Sequence, residues 1–446
     1  MKTLRRLLAV FLCLFLLATP LAYADEPPYS VMVHVGTGSI PVRARMDGFE
    51  NNVFLCLPDL SAALSSTSKQ FRIDFASNPT DGDHFIITSG QPASGPSAAQ
   101  EGTAPVVDAL FPWRNRLFKD GVELKYYTHR SGNILYMSLT DIQLLFDLTI
   151  ECNIDGSLRI YPERPFAPDI YALEQEGFFD AFNSIILGDA DKGEYLYTWQ
   201  DGRSVPIASL SKLMSYLLIA EAVNSGRVQL YDTVPISEKA AALSRSPDGQ
   251  VELQAGMGVP LTELLDAMLL ASSNESALAL AEYLAGSEEA FVAAMNRRAL
   301  ELGLRSACFH SPHGLPVYTP SSVPAKLQNT MTASDLFRLS SYLLKNYPAL
   351  TARTSQRFAA LPTLDYITAN SNPTVFNLPG VNGLKTGNTN RAGYCLVSSL
   401  PLTVDGETHT ILLIVLGAET AMMRNQASEI LLRYARQYYL SRGFGA

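Results

Sequence analysis

A serine and a lysine stand three residues apart at the start of an apolar run, in the stretch ASLSKLMSYLLIAEAV that begins at Ala208. On a helix, positions i and i+3 share a face, so the Ser209 hydroxyl and the Lys212 amine can come within hydrogen-bond distance. A neutral amine there could take the serine proton and make the hydroxyl a nucleophile. The spacing alone is weak evidence, because Ser66 and Lys69 repeat it in SSTSK with no other catalytic feature nearby.

Two further motifs follow later in the chain. Ser272 and Asn274 form an S-x-N motif directly after the apolar helical stretch LTELLDAMLL. Lys385, Thr386 and Gly387 form a K-T-G motif in a β-rich stretch, where glycine lets a ligand approach the backbone closely. S-x-x-K, S-x-N and K-T-G in this order are the three motifs of the serine enzymes that react with penicillin.

These segments resemble the low-molecular-mass penicillin-binding proteins, which are serine-type D-alanyl-D-alanine carboxypeptidases. The resemblance spans roughly Phe182 to Tyr438 and includes LLASSNESALALAEYLAG and VNGLKTGNTNRAGYCLVSS. It departs from the family pattern at Ser273, where glycine is usual, and at Asn388 and Arg391 after K-T-G. It implies an α/β class chain with the penicillin-binding-protein/β-lactamase-like transpeptidase fold, in which helices flank an antiparallel sheet.

The chemistry of acyl transfer assigns a role to each motif residue. Ser209 would attack the carbonyl between the last two D-alanines of a peptidoglycan stem peptide and hold the acyl group as an ester. Lys212 would take the serine proton, with burial and Lys385 lowering its pKa from about 10.4. Ser272 would relay a proton to the leaving amine, and Asn274 would hold the substrate amide and the lysine.

The oxyanion and the terminal carboxylate of the substrate need their own partners. The oxyanion would lie between the backbone N–H groups of Ser209 and, by family resemblance, Asn388. Thr386 and Gly387 would contact the substrate from the K-T-G strand. Arg424 falls where the family places an arginine that binds the carboxylate. β-Lactams would acylate the same serine.

Structural alternatives accompany these assignments. Lys212 could be a solvated helix lysine, Ser272 a helix cap, Thr386 an ordinary strand residue and Arg424 an exposed charge at a helix N-terminus. His313 has no proton to carry in this scheme, and we expect it to be a structural turn residue. His310 precedes it by three positions, but no third ligand motif is near, so the sequence predicts no metal and no cofactor.

Other functions remain as alternatives. A class A-like β-lactamase would need an additional glutamate for deacylation, and none of the glutamates considered between the second and third motifs lies in such a pattern: Glu282, Glu288, Glu289 and Glu301. A non-catalytic cell-wall-binding protein is the second alternative. A regulatory or sporulation-related carboxypeptidase, or one with a different peptide or ester substrate, is the third.

The elements that must position the motifs follow from the periodicity of the chain. SIILGDADKGEYLYTW predicts a hairpin, and helical periodicity dominates from Ser209 to Leu344. Strands return in GLKTGNT, AGYCLVSSL and THTILLIVLGAE, and a helix is predicted from Met422 to Leu440. Strands at both ends of this region, with helices between them, indicate that its first and last strands share an antiparallel sheet. We therefore predict a catalytic domain over 172–446.

Residues 29–163 contain a weak internal repeat. Leu57 aligns with Leu139 at an offset of 82 residues, and each copy reads as a short strand, a brief helix and another strand. A small, proline-rich stretch at 90–105 reads as a linker. The region resembles copper amine oxidase N-terminal-like stalk modules, which despite their name imply no copper here. No motif in this region indicates what the stalk-like domain binds, so its partner is unknown.

The chain opens with basic residues, an uncharged run and Ala22-Tyr23-Ala24, the pattern of a cleaved export signal. We predict a signal peptide over 1–24 and an extracellular or cell-wall-associated protein, with a retained membrane anchor as the alternative.

The chain has a net charge of −9, and its sequence shows no stripe of basic residues. This charge pattern excludes a nucleic-acid partner. The four later cysteines lie in predicted strands without regular spacing, which favours buried thiols over disulfides: Cys56, Cys152, Cys308 and Cys395.

Overall fold

The computed structural model describes residues 29–46, 53–78, 82–93, 116–318 and 326–443. The chain divides into two compact units between Ala167 and Pro168, inside the interval between the two predicted domains. The predicted signal peptide and most of the predicted 90–105 linker lie outside the described residues. No helix in the described ranges is long and apolar enough to cross a bilayer.

The described part of the N-terminal unit forms two sheets and two short helices. Its elements in chain order are β1 (Tyr29–Val35), β2 (Gly38–Met46), β3 (Val53–Cys56), α1 (Leu57–Ala63), β4 (Phe71–Asn78), β5 (Gly82–Ser89), β6 (Arg116–Lys119), β7 (Val122–Leu124), β8 (Thr128–Ser131), β9 (Ile134–Ser138), α2 (Leu139–Phe146), β10 (Thr149–Cys152) and β11 (Leu158–Tyr161). The strand orders are β10-β11-β1-β2-β3-β9-β8 and β4-β5-β6-β7.

The two copies of the repeat have the same local structure. Helix α1 begins at Leu57 directly after β3, and α2 begins at Leu139 directly after β9. The equivalent strands β3 and β9 pair with each other in antiparallel register, and Leu55 faces its own equivalent, Met137. A local two-fold axis therefore passes between these two residues.

The copies also exchange strands at their ends. In the first copy, which comprises β1 to β5, the last strand pairs in parallel with β6, the first strand of the second copy. In the second copy, the last strand, β11, pairs in parallel with β1 of the first copy. Each copy thus completes a sheet of the other. The resemblance of this unit to stalk modules stays a prediction.

The C-terminal unit carries the three motifs. Its helices are α3 (Ile170–Gln175), α4 (Lys212–Asn224), α5 (Glu238–Ser244), α6 (Leu261–Asp266), α7 (Asn274–Ala285), α8 (Glu288–Glu301), α9 (Ala333–Asn346), α10 (Ala349–Thr354), α11 (Thr374–Asn377) and α12 (Ala421–Gly443). Its strands are β12 (Ser184–Asp189), β13 (Glu194–Trp199), β14 (Val205–Pro206), β15 (Thr233–Pro235), β16 (Gly258–Pro260), β17 (Val317–Tyr318), β18 (Lys326–Leu327), β19 (Thr330–Met331), β20 (Phe358–Leu361), β21 (Tyr366–Ala369), β22 (Leu384–Thr389), β23 (Gly393–Val404) and β24 (Glu407–Ala418).

A five-stranded antiparallel sheet in the order β13-β12-β24-β23-β22 organises this unit. Its first hairpin pairs with the last strand, since β12 lies against β24 with Ser184 facing Leu416. The expected antiparallel sheet shared by the two ends of the domain is confirmed. Short two-stranded pairs interrupt the helical region between Ser209 and Leu344, which periodicity alone did not predict.

Helix α4 lies in the core of this unit. Nine of its thirteen residues are buried, among them Leu213, Met214 and Leu217. A helix that is apolar on all sides is expected in a protein interior, not on its surface. The consequence for Lys212, the first residue of α4, is that its amine is enclosed by protein.

The prediction of four buried thiols is half wrong. All four cysteines are free thiols, and Cys56 in β3 and Cys395 in β23 are buried. Cys152 is exposed because it ends the edge strand β10. Cys308 is exposed because it lies in a loop that makes only a single bridge, to Thr330.

Candidate active site

Ser209 lies in a single 3₁₀ turn, Ala208–Ser211, that leads directly into α4. The turn begins with a left-handed residue, Ala208, whose φ is 48°. Ala208 and Leu210 are buried, while Ser209 itself is only half-buried. The core therefore anchors the turn, and the serine hydroxyl remains accessible to a substrate.

Lys212 brings its amine to the Ser209 hydroxyl. The distance from Lys212 Nζ to Ser209 Oγ is 2.8 Å. The same nitrogen donates to Asn274 Oδ1 at 2.7 Å and to the backbone carbonyl of His313 at 2.9 Å. The S-x-x-K pair and the asparagine of S-x-N are thus joined through one nitrogen.

The partners of this nitrogen suit a neutral amine. The Asn274 side-chain oxygen and the His313 carbonyl can only accept hydrogen bonds, so they take two N–H groups. A neutral amine then has one lone pair left, and the remaining neighbour is the Ser209 hydroxyl, which can donate. This arrangement allows Lys212 to receive the proton of Ser209.

The electrostatic surroundings favour the neutral form as well. Burial lowers the pKa of Lys212 well below its usual value, and the charge of Lys385 lowers it further, while Glu275 opposes the shift. Burial also lowers the pKa of Lys385, to about 7, with the Arg424 charge as a second cause. Removing an ammonium from water disfavours its charged form, and a second cation adds to that effect.

The K-T-G residues lie on β22, at one edge of the five-stranded sheet. Lys385 Nζ donates to the backbone carbonyl of Thr386 at 2.9 Å. The Thr386 hydroxyl lies 2.7 Å from that of Ser371. Gly387 passes so close to the turn Ala208–Ser211 that a Cβ on it would lie 2.8 Å from the backbone nitrogen of Ser209. A side chain at this position would push the strand away from the serine.

A second glycine, Gly314, packs against the other side of the same turn. Its φ is 93°, and a Cβ on it would lie 2.0 Å from the carbonyl oxygen of Ala208. Both the backbone conformation and the available space therefore require glycine. His313 precedes it, and its carbonyl is the third partner of Lys212.

The imidazole of His313 is structural. Burial lowers the pKa of His313 to about 3, with the Lys212 charge as a further cause. Its Nδ1 accepts a hydrogen bond from the backbone N–H of Leu315 at 3.1 Å. The ring is therefore neutral and fixes a turn. Its carbonyl role in the site was not predicted, since a backbone oxygen leaves no signal in residue types.

The S-x-N motif follows a helical irregularity. Residues Ala267–Ala271 form a π-helical turn after α6, and Ser272 then adopts a left-handed conformation with φ 64°. Ser273 caps the start of α7 by accepting from the N–H of Ser276, whereas Ser272 is the C-cap of the preceding π-helical turn, in agreement with the helix-cap alternative. Ser272 is half-buried, and no hydrogen bond within the described residues joins it to Lys212.

Arg424 is buried near the start of α12, which overturns its alternative reading as an exposed charge. Its guanidinium donates to Asn425 Oδ1 at 2.8 and 3.0 Å and lies over the ring of Tyr394. Burial lowers the pKa of Arg424 to about 10. Across the described part of the chain, no carboxylate lies within ion-pair distance of it. The guanidinium can therefore receive an anion from outside the chain.

Asn388 follows Gly387 on β22, and its side chain is exposed. It pairs in register with Tyr394 of β23, near the end of β22, the strand that lies beside Ser209.

Two further residues near the site were not predicted. Glu275 directly follows the S-x-N motif and is fully buried, and Ser371 contacts Thr386.

The second S-x-x-K pair in the chain behaves differently. Ser66 is exposed, and Lys69 extends towards Asp147 with an N–O distance of 4.0 Å. The lone motif was predicted to have no catalytic role, and in the structure its serine and lysine form no hydrogen bond with each other.

Within the described residues, no group of three or more histidine, cysteine, aspartate or glutamate side chains lies together as metal ligands would.

Comparisons with known proteins place the C-terminal unit in a family. Residues 178–420 match the D-alanyl-D-alanine carboxypeptidase family. The chain is 33% identical to D-alanyl-D-alanine carboxypeptidase DacF of Bacillus subtilis (strain 168), over 61% of this chain and 68% of that protein. It is 30% identical to DacC of Escherichia coli (strain K12), over 61% of this chain and 66% of the relative. The matches thus span about two thirds of each relative's length.

Solved structures support the same assignment for the fold. A peptidoglycan synthesis regulatory factor of Streptococcus pneumoniae aligns with a TM-score of 0.53 at 28% identity, over 58% of this chain and 74% of that one. Penicillin binding protein 6B of Escherichia coli aligns with a TM-score of 0.51 at 28% identity, over 57% and 77%. The predicted penicillin-binding-protein/β-lactamase-like fold and the predicted enzyme class are confirmed. The chain belongs to the family of serine-type D-alanyl-D-alanine carboxypeptidases.

Proposed function

We propose that this chain is an exported enzyme that removes the terminal D-alanine from peptidoglycan stem peptides through an ester on Ser209. The observation that carries the proposal is the 2.8 Å contact between Ser209 Oγ and the buried amine of Lys212. The other two polar neighbours of that amine accept hydrogen bonds only, so its lone pair faces the hydroxyl.

Acylation begins with the Ser209 hydroxyl and the carbonyl between the two D-alanines. As the C–O bond forms, the serine proton passes to Lys212 Nζ. The developing oxyanion is stabilised by the backbone N–H groups of Ser209 and Asn388. The close passage of Gly387 beside the Ser209 nitrogen supports this pairing of turn and strand.

The C–N bond then breaks, and the leaving D-alanine amine takes a proton. Lys212 holds that proton, and Ser272 relays it to the amine. Asn274 keeps the lysine in place through its side-chain oxygen. Water later attacks the ester, which releases the shortened peptide and restores the Ser209 hydroxyl.

The terminal carboxylate of the substrate is bound by cations and hydroxyls at the K-T-G strand. Arg424, with no acidic partner among the described residues, is the principal cation, and Thr386 supplies a hydroxyl. Lys385 adds positive charge from the same strand. A free carboxylate at the end of the peptide is therefore the feature that the site selects.

A β-lactam is attacked by Ser209 in the same way, but its leaving nitrogen stays tethered to the acyl group. The tethered group then remains where the leaving D-alanine would depart, so the ester is slow to hydrolyse.

We include export and cell-wall association in the proposal because of the leader pattern at 1–24. N-terminal sequencing of the protein from culture medium and from wall fractions tests this part.

The test of the catalytic proposal is the intact mass of the mature protein after a short incubation with benzylpenicillin, with a Ser209→Ala variant as the control. We expect an adduct of the whole drug on the wild type and none on the variant, together with release of D-alanine from a peptide ending in D-Ala-D-Ala. Hydrolysed drug without an adduct would indicate a β-lactamase. Intact drug and no D-alanine release would indicate a protein that only binds the wall.

A further inference from the structure

A surface segment, Ser246–Val251, is hydrogen-bonded to Asn274, the last residue of the S-x-N motif, and to Glu275, the residue after it. The Asn274 side-chain nitrogen donates to the backbone carbonyl of Asp248 at 2.8 Å. The backbone N–H groups of Gln250 and Val251 both donate to Glu275 Oε1, at 3.0 and 2.5 Å. We call the two contacts of Glu275 the Glu275 strap.

The contact with Asp248 fixes the orientation of the Asn274 amide. An asparagine amide has one accepting end and one donating end, and rotation by half a turn exchanges them. The oxygen accepts from Lys212, while the nitrogen donates to the Asp248 carbonyl. As long as the segment stays in place, a rotated amide would lose both hydrogen bonds. The position of Asp248 thus determines which end Lys212 meets.

Glu275 is what holds the segment there. It lies on the first turn of α7, it is 0% exposed, and its Oε1 accepts both backbone N–H groups. Its Oε2 is buried without a hydrogen-bond partner within the described residues. Glu275 also raises the pKa of Lys212, against the larger lowering effect of burial.

We propose that Glu275 is a positioning residue for the reaction at Ser209, because it straps Ser246–Val251 in the position that orients the Asn274 amide towards Lys212. This inference rests on the proposed function and adds a residue to it. Glu275 reaches the reacting atoms only through Asn274 and through the charge it places near the lysine.

The two effects of Glu275 can be separated by substitution. In Glu275→Gln the amide oxygen can still accept both N–H groups, so the strap stays while the charge is lost. In Glu275→Ala the strap is lost and two buried N–H groups are left unpaired. The glutamine variant also fills the same volume, so it keeps the proposal testable if the alanine variant does not fold.

The charge effect has a defined direction. The charged and titratable groups around Lys212 are Lys385 on β22, Glu275 on α7 and the neutral His313 in the loop before β17. Without the Glu275 charge, the pKa of Lys212 falls further, so the neutral amine is present at lower pH. The acid limb of the acylation rate should therefore shift to lower pH in Glu275→Gln.

The experiment combines amide hydrogen exchange with acylation by benzylpenicillin across pH, using wild type, Glu275→Gln and Glu275→Ala. A matched control is Glu263, a buried glutamate that accepts from the N–H and hydroxyl of Thr363 and is not attached to the segment. Glu263→Gln and Glu263→Ala should change neither the exchange of the Gln250 and Val251 amides nor the acid limb.

We expect Glu275→Ala to accelerate exchange at Gln250 and Val251 and to slow acylation roughly 10- to 100-fold, the size of effect that a small misplacement of reacting groups produces. Glu275→Gln should exchange as the wild type does and shift only the acid limb. Unchanged exchange or unchanged acylation in Glu275→Ala would overturn the proposal, and an unshifted limb in Glu275→Gln would overturn the charge effect alone. If the wild type forms no adduct, the proposed function fails, and hydrogen exchange still decides on the strap.

Discussion

The amine of Lys212 lies 2.8 Å from the hydroxyl of Ser209 and is completely buried. Replacing the lysine by arginine keeps a donor of similar length but removes the group that can lose a proton, because arginine stays charged at all ordinary pH values. We expect Lys212→Arg to reduce the rate of acylation by benzylpenicillin about 10²- to 10⁴-fold, the usual worth of a general base. The rate is measured by intact mass against time.

The matched control for this change is Lys69→Arg, in the other S-x-x-K pair. Lys69 is partly exposed and does not contact Ser66. Acylation and stability should stay at wild-type values. An active Lys212→Arg enzyme would show that another group takes the serine proton.

Replacing Lys385 by methionine should stabilise the protein near neutral pH. Burial lowers the pKa of Lys385 to about 7, whereas in the unfolded chain it is about 10.4. At pH values between these two pKa values, the unfolded chain binds more protons at this lysine than the folded protein does. The free energy of unfolding of the wild type therefore increases as pH rises through this range. At pH 7 the methionine variant should be the more stable by a few kcal/mol, at about 1.36 kcal/mol per pKa unit, and inactive.

The measurement is urea unfolding of both proteins at several pH values from about 7 to 10, a range over which the difference should shrink steadily. Lys239→Met serves as the comparison, because Lys239 is half-exposed and its ion pair with Glu288 raises its pKa. Lys239→Met should show no increase in the free energy of unfolding over the wild type. A difference between wild type and Lys385→Met that does not vary with pH would contradict the explanation.

Arg424→Gln should remove the preference for a free terminal carboxylate. The arginine is buried, and within the described ranges it has no acidic partner. Charge-assisted hydrogen bonds to a carboxylate contribute about 1.5–3 kcal/mol, so we expect KM for a peptide ending in free D-Ala-D-Ala to rise about 10- to 100-fold. The C-terminal amide of the same peptide should be affected little.

The comparison variant is Arg391→Gln, in the exposed turn after the K-T-G strand. It should leave both KM values unchanged. Equal losses on the acid and the amide in Arg424→Gln would mean that the arginine supports the fold of the site without reading the carboxylate.

Gly314→Ala should abolish acylation by displacing the turn that carries Ser209. The added methyl group would lie 2.0 Å from the carbonyl oxygen of Ala208, at a φ of 93°. Gly406→Ala is the control, since its φ of 82° is similar but the space around it is open. That control should cost about 1 kcal/mol of stability from the left-handed backbone alone and acylate normally. Benzylpenicillin adducts and thermal unfolding are the measurements, and an active Gly314→Ala enzyme would contradict the packing argument.

The catalytic motifs and the sheet that holds them could be predicted from the sequence, because they depend on residue types. Ser209, Lys212 and Asn274 carry functional groups whose spacing is visible, and the apolar strands that became β12 and β24 are marked by composition. Family resemblance added Arg424, a residue whose burial no local pattern indicates.

What could not be predicted depends on backbone atoms and on long-range contacts. The His313 carbonyl and the Asp248 carbonyl act through groups that every residue possesses. Glu275 was missed because its partners are backbone N–H groups more than 20 positions earlier in the chain. The left-handed Ser272 follows a π-helical turn, a change in backbone hydrogen bonding that residue types do not mark.

The strand exchange in the N-terminal unit has a consequence for its ancestry and its unfolding. Since β5 is completed by β6 and β1 by β11, neither copy can satisfy its edges alone. This pairing is the pattern of a strand-swapped homodimer whose two subunits are joined in one chain. Removing either copy would leave the other with unpaired edges open to aggregation, so the two halves must melt together, as a single cooperative body.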